Sequence, residues 1–243
     1  MYIIGVDEVG IGPAFGPVVA CAYSPLPQYL DELTELLEWG ATKGRDSKQR
    51  SHTQRETLLP LLKKYGHYKI SVGTVREINT INICQASLLA MKRAVDEVSR
   101  VIKPDRIMVD GKNLIPGIER QTVIKEGDTK VMAIAAASIL AKEFRDSFVC
   151  HLATWPQFDK YGLAQHKGYT TSPRKGLPGL HEEAIARWGK SPLHHINNKA
   201  VIRAQAKFLG TDSSSLLAAS LENQPKQEGN SQLCLQLQQL NLF

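Results

Sequence analysis

Apolar positions recur along the chain in two rhythms, one with the period of a strand and one with that of a helix. In residues 2–23 two runs, Tyr-Ile-Ile-Gly-Val and Val-Val-Ala-Cys-Ala-Tyr, flank a loop carrying Gly10, Gly12, Pro13, Gly16 and Pro17. This predicts two strands joined by a tight connection. Leu30, Leu33, Leu36 and Leu37 have helical spacing within residues 29–39, and Gly40 is the stop. Ser51 with Gln54 three residues later matches a capping box, for a helix through Leu58, Leu59 and Leu62. Residues 68–75 alternate as a third strand. Residues 79–102 predict one long helix with Ile83, Ala86, Leu89, Ala90, Val98 and Val101 toward the core, ended by Pro104. Residues 106–110 and 121–125 read as two further short strands. Residues 130–152 read as a helix in which Ala133, Ala135, Ala136 and Ala137 permit close packing on a sheet. A polar, Gly-containing loop over residues 161–171 and helices over 181–187 and 201–208 complete the body.

Composition narrows the class. The four cysteines, Cys21, Cys84, Cys150 and Cys234, form no Cys-x-x-Cys pair, so neither a zinc site nor a disulfide framework is expected. No run is long and apolar enough to span a bilayer, and the first residues lack the basic and apolar regions of a signal peptide. The expectation is a cytosolic protein. The formal charge of +6 is uneven. From residue 211 onward the charged side chains are Asp212, Glu222, Lys226 and Glu228, a net −2, so the preceding body carries +8. A basic body with embedded carboxylates suits a polyanionic partner, with the acids left to hold metal.

Those carboxylates fall at strand ends. Asp7 and Glu8 close the first strand, and since neighbours on a strand point to opposite faces, at least one turns inward and needs a partner. Asp110 ends a short strand, and the carboxyl ends of strands are where α/β sheets assemble sites. Asp128 lies at a helix entrance, where the dipole favours an anion and a plain N-cap is the other reading. An all-oxygen set points to Mg²⁺ or Mn²⁺, and such a set on a basic body is used to cut phosphodiesters with two metal ions. Ser47 and Lys48 precede a helix start, a place suited to phosphate or to an ordinary solvated loop. Lys167 and Tyr169 place a cation beside an aromatic ring, as in stacking on a sugar or base next to phosphate; Tyr169 packed inward is the alternative.

Several stretches together resemble one family. Gly-Val-Asp-Glu-Val-Gly-Ile-Gly-Pro, Asp46-Ser47-Lys48, Asn-Ile-Cys-Gln-Ala-Ser-Leu-Leu-Ala-Met over 82–91, Val109-Asp110-Gly111, Gly127-Asp128, Ala-Ala-Ala-Ser-Ile-Leu-Ala-Lys over 135–142 and His166-Lys167-Gly168-Tyr169 resemble bacterial ribonuclease HII, a type 2 ribonuclease H, in the right order from about residue 1 to about 202. The resemblance implies a ribonuclease H-like α/β fold, a mixed five-stranded sheet flanked by helices, with a C-terminal helical extension and a flexible tail. It implies hydrolysis of the RNA strand of RNA/DNA hybrids and incision at ribonucleotides embedded in duplex DNA, leaving a 3′-hydroxyl and a 5′-phosphate. Carried over by position, Asp7, Glu8, Asp110 and Asp128 become the metal-binding catalytic acids, with Mn²⁺ or Mg²⁺ as cofactor. Gly10, Ile11, Gly12, Ser47, Lys48, Lys167 and Tyr169 become nucleic-acid contacts, with Tyr169 packing on the deoxyribose after the scissile ribonucleotide.

This chain departs from the family at Gly10-Ile11-Gly12, where Gly-Arg-Gly is usual, and the segment 172–179 looks inserted. The glycine backbone can still read the 2′-hydroxyl, but the cationic phosphate contact is gone. Val9, Gly10, Gly12 and Phe15 also resemble the sister ribonuclease HIII, whose members often prefer stretches of ribonucleotides. A silent nucleic-acid-binding relative is the competing class, and it should have lost at least one of the four acids. A DNA-directed nuclease or integrase with the same cluster is disfavoured by the Gly-x-Gly and Tyr169 motifs.

The division expected is a catalytic body over 1–210 and a tail over 211–243. The tail ends in Gln239, Leu240, Asn241, Leu242 and Phe243, which resembles the short peptide by which bacterial replication and repair proteins dock on the sliding clamp. A monomer is expected.

Overall fold

The structure, a computed structural model, describes residues 1–37, 51–171, 179–214 and 216. Ser47, Lys48, residues 172–178 of the proposed insertion and the tail peptide Gln239, Leu240, Leu242 and Phe243 lie outside the described residues. The strands are β1 (Ile3–Val9), β2 (Val18–Pro25), β3 (Gly66–Gly73), β4 (Arg106–Asp110) and β5 (Gln121–Ile124). They form one sheet in the order β3-β2-β1-β4-β5. β1 pairs antiparallel with β2 and parallel with β4, and β4 pairs parallel with β5. This is the mixed five-stranded sheet that the resemblance implies.

The helices are α1 (Leu30–Leu36), α2 (His52–Tyr65), α3 (Val75–Ile81), α4 (Ile83–Ser99), α5 (Met132–Leu152), α6 (Leu163–His166), α7 (Leu180–Trp188) and α8 (Lys199–Leu209). Alternation along the strands divides the core. Ile4, Val6, Ala20, Ala22, Ile107 and Val109 pack against Ala90, Ala94, Val95 and Val98 of α4. Val19, Cys21 and Tyr23 pack on the other face against α1, α2 and the alanines of α5. A third apolar cluster joins Ala14 and Phe15, in the connection after β1, to Phe148 and Val149 of α5 and to α7 and α8.

Five local expectations are corrected. The helix over 79–102 is two helices, because Asn82 takes φ +71°, ending α3 and capping α4 by accepting the Gln85 N–H. Val101 lies beyond the end of α4 and is exposed rather than in the core. The third strand starts two residues early, at Gly66, and Val75 opens α3, capped by Thr74 with Glu77. The connection between β1 and β2 is no tight turn: it occupies 10–17, and Phe15 forms a bridge to His194. Residues 159–166, read partly as loop, contain a 3-10 turn and α6.

Helix and sheet approach closely at Gly5. A Cβ there would fall on the backbone of Ala133 and Ile134 in α5, and neither main chain can yield without moving the helix that holds the site. Gly5→Ala is expected to cost about 2–3 kcal/mol, read as a lower midpoint in urea; an unchanged midpoint would show that α5 can lift off β1 freely.

Candidate active site

Since β1, β4 and β5 are parallel, their carboxyl ends open on one edge of the sheet. Asp7 and Glu8 stand near the end of β1, and Asp110 is the last residue of β4. Asp128 belongs to the 3-10 turn Gly127–Thr129 that follows β5. It is therefore not the N-cap of α5, a place taken by Val131. Val6 is in register with Val109, which sets Asp7 beside Asp110.

Alternation sends Asp7 and Glu8 to opposite faces. Asp7 turns toward α5, where the Ser138 hydroxyl hydrogen-bonds it, and its Oδ1 accepts the Glu8 N–H at 2.7 Å. It is only 5% exposed. Glu8 lines a cleft on the α4 side with Ile11, Ser87, Asp110 and Lys112. Asp110 Oδ1 accepts the Gly127 N–H at 2.6 Å, and a Cβ at 127 would sit 3.1 Å from that oxygen and 2.7 Å from Ile134. The missing side chain lets the turn close on Asp110 and draws the buried Asp128 to the same edge.

Burial pushes the Asp7 carboxyl well above the usual carboxylate range, and the charges of Glu8 and Asp110 push it the same way, while Ser138 and the Glu8 N–H pull it back. A buried acid beside like charges is what a cation relieves, and these hard oxygen donors fit Mg²⁺ or Mn²⁺. Among the described residues, the set of ligand atoms that all lie within 4.8 Å of one another is His52, Glu56 and Glu143. The four acids share an edge at wider spacing than that. Glu143 is already paired with Arg55.

Next to the acids, two loops meet. Gly10 takes φ +108°, and a Cβ at Gly12 would touch the Tyr169 ring at 3.2 Å, so the half-buried Tyr169 lies against the Gly-Ile-Gly backbone. Ile11 is 43% exposed at the cleft. Lys167 points elsewhere: its ammonium bonds Cys150 Sγ at 2.8 Å and the Ala164 carbonyl. Arg145 of α5, missed in the sequence, lies wholly buried beneath both loops, donating to the Phe15 carbonyl at 2.9 Å and the Lys167 carbonyl at 3.2 Å. A charged residue in Ala-Lys-Glu-Phe-Arg-Asp reads as part of a solvated face, and only the packing of α5 shows otherwise.

The ribonuclease HII family model matches residues 4–190. The chain is 42% identical over 192 residues to ribonuclease HII of Synechocystis sp., covering 78% of this chain and 92% of that one.

The chain belongs to the ribonuclease HII family.

Ribonuclease HII of Trichodesmium erythraeum is 42% identical over 196 residues, 79% of this chain and 84% of that one. The fold is shared with ribonuclease H2 from Pyrococcus horikoshii at TM-score 0.64 and 24% identity, over 86% of this chain and 99% of the other. It is shared also with a ribonuclease HIII solved in complex with Mn²⁺, at TM-score 0.59 and 20% identity, over 92% of this chain and 71% of the other. As a ribonuclease HII, the chain is an endoribonuclease that acts on RNA/DNA hybrids and depends on a divalent metal, for which Mg²⁺ or Mn²⁺ fits.

Proposed function

We propose that Asp7, Glu8, Asp110 and Asp128 are the catalytic acids of this ribonuclease HII, holding two divalent ions at the carboxyl edge of β1, β4 and β5. The observation that carries this is the Asp110–Gly127 hydrogen bond, which ties the turn of Asp128 to the strand ends of the other three acids. Acids spread along one edge of the sheet, rather than closed into a single small cluster, would suit a pair of ions better than one. When bound, such ions activate a water and neutralise charge on the leaving oxygen. The chain's own residues do the rest. Ser138 and the Glu8 N–H hold Asp7, Gly127 holds Asp110, and the backbone at Gly10 and Gly12 is offered to the 2′-hydroxyl. Tyr169 presents its ring to the neighbouring deoxyribose. Water attacks phosphorus, the bond to the 3′-oxygen breaks, and a 3′-hydroxyl and a 5′-phosphate result.

Ile11 bears on substrate preference. An arginine there would add a charge-assisted phosphate contact, worth about tenfold in rate. Duplexes with one ribonucleotide, with several, and with none, each assayed in Mg²⁺ and in Mn²⁺, test both points. The expected result is no cleavage of DNA, incision of ribonucleotide runs, and a lone ribonucleotide incised about tenfold more slowly, with Ile11→Arg narrowing that gap. Equal cutting of a lone ribonucleotide contradicts the role given to Ile11.

We assign residues 1–210 to a monomeric catalytic body working in the cytoplasm on replication and repair intermediates, and 211–243 to a tail whose Gln239, Leu240, Leu242 and Phe243 dock on the sliding clamp. Among the described residues no helix is long and apolar enough to cross a membrane. A ribonuclease HII from Archaeoglobus fulgidus, of the same fold at TM-score 0.61, was solved in complex with PCNA, which supports clamp docking in principle. Deleting the last five residues is expected to abolish clamp pull-down and leave hydrolysis of a free oligonucleotide unchanged; retained pull-down refutes the assignment.

A further inference from the structure

We infer that Arg145 is a positioning residue of this enzyme: its buried guanidinium locks the Gly10–Pro17 connection to the loop of Tyr169, and so fixes where the bound strand lies relative to the acids. The inference rests on the reading of Tyr169 as a nucleotide-facing residue.

The geometry is that of a fork between two loops. One terminal nitrogen donates to the carbonyl of Phe15, three residues after Gly12, and the other to that of Lys167, two residues before Tyr169. Main-chain bonds run parallel to the fork: the Ala14 N–H donates to the Gly168 carbonyl at 2.9 Å, and the His195 N–H to the Ala14 carbonyl at 2.9 Å. From beneath, Arg145 Nε would lie 2.8 Å from a Cβ at Gly10, so the guanidinium also fills the space under the first glycine. On the outer side Gly12 rests against Tyr169. Moving the guanidinium therefore moves both walls of the groove.

Stability alone does not account for this residue. A wholly buried guanidinium is costly to desolvate, and Nε is buried with no hydrogen-bond partner among the described residues. Replacing such a charge by an apolar side chain of similar size is often neutral or stabilising, and Phe148 and Val149, which follow it on α5, already belong to an apolar cluster. What a methionine or a lysine cannot do is bond two carbonyls of separate loops with one rigid plane.

A double-mutant cycle on kcat and KM tests it, using Arg145→Lys, which keeps the charge, Arg145→Met, which keeps the volume, and Tyr169→Ala, each assayed on a ribonucleotide-containing duplex with thermal unfolding followed in parallel. A displacement near 1 Å costs about 100-fold. The expected result is a kcat about 100-fold lower for either Arg145 variant with KM changed less than about threefold, and a further loss below about threefold when Arg145→Lys is added to Tyr169→Ala. Should Arg145→Lys fail to fold, Arg145→Met carries the same cycle. Losses that multiply fully across the two sites, a folded Arg145 variant with unchanged kcat, or a loss seen wholly in KM would each overturn the inference. An inert Tyr169→Ala would instead remove the reading of Tyr169 on which it stands.

Discussion

Asp7→Asn is expected to lower kcat at least about a thousandfold while the protein stays folded. The side chains are isosteric and Asn can keep the bonds to Ser138 and the Glu8 N–H, so the change removes charge and little else. In the folded protein that charge is buried and stands beside Glu8 and Asp110, a position that costs stability unless a cation answers it. In chelator the Asn variant therefore melts no lower than the parent, while its cleavage of a hybrid in Mg²⁺ or Mn²⁺ is lost. The same pair of results is expected for Asp110→Asn, with a smaller margin in stability because its oxygen also anchors Gly127. A variant that keeps a tenth of the parental kcat, or that loses activity only as it unfolds, would remove the acid from the catalytic set.

The second large effect is loss of stability in mild acid. Ser191 donates its N–H to His194 Nδ1 at 2.8 Å, His194 Nε2 lies 3.0 Å from His181 Nε2, and His181 Nδ1 lies 2.9 Å from the Gly168 carbonyl. That sequence of partners assigns neutral rings, with His194 Nε2–H donating to His181 and His181 Nδ1–H donating to Gly168. Protonating either ring destroys an acceptor. His181 is fully buried, and burial, then the repulsion it would meet from His166 and His195 were they also protonated, lowers its pKa from 6.5 to about 4. His194 is held well below 6.5 by burial, then by His181, with His195 and Lys190 acting the same way, and His166 and His195 are lowered chiefly by burial.

The sign follows from the unfolded chain, which takes up protons below pH 6.5 that the folded chain refuses. Stability is thus fully present above pH 6.5 and falls as pH drops toward 4, by about 3 kcal/mol from His181 alone. Urea midpoints measured at pH 7.5, 6.5, 5.5 and 4.5 should decline over the last three, and His181→Asn should flatten the decline even if it lowers the plateau. A midpoint constant from pH 7.5 to 5 would mean that the imidazoles find water or relax before they charge. The cluster lies under the Tyr169 loop, so the same acid range should loosen that loop.

Much of this molecule was legible in one dimension. Asp7 and Glu8 close a β-branched run, and strand alternation alone requires them to part; they do, to α5 and to the α4 cleft. The alanine run of α5 announced close packing, and Gly5 against Ala133 realises it. Ser51 with Gln54 marked a helix start that both halves of the capping box confirm. Local rules failed where a distant contact outweighed them. Residues 79–102 carry one helical period, yet Asn82, at φ +71°, breaks it: α3, capped at Thr74, ends there, and α4 starts afresh on the Asn82 cap. Lys167 reads as a phosphate contact beside Tyr169; with a left-handed backbone at 167 its ammonium lies on Cys150 Sγ and the Ala164 carbonyl, a placement that residue type does not reveal.

The sequence by itself determined the family, the strand and helix periods, the acids at strand ends and the oxygen-only chemistry they imply, since each rests on residue type and near-neighbour spacing. Tertiary structure alone decided that Asp110 grips the turn of Asp128, that Tyr169 lies on Gly12, and that Arg145 and the histidines bind the 10–17 and 167–169 loops from below. Those facts join residues more than a hundred positions apart in some cases, as with Arg145 and Phe15. Burial, which turns a solvated charge into a structural tie, is a property of the packed whole.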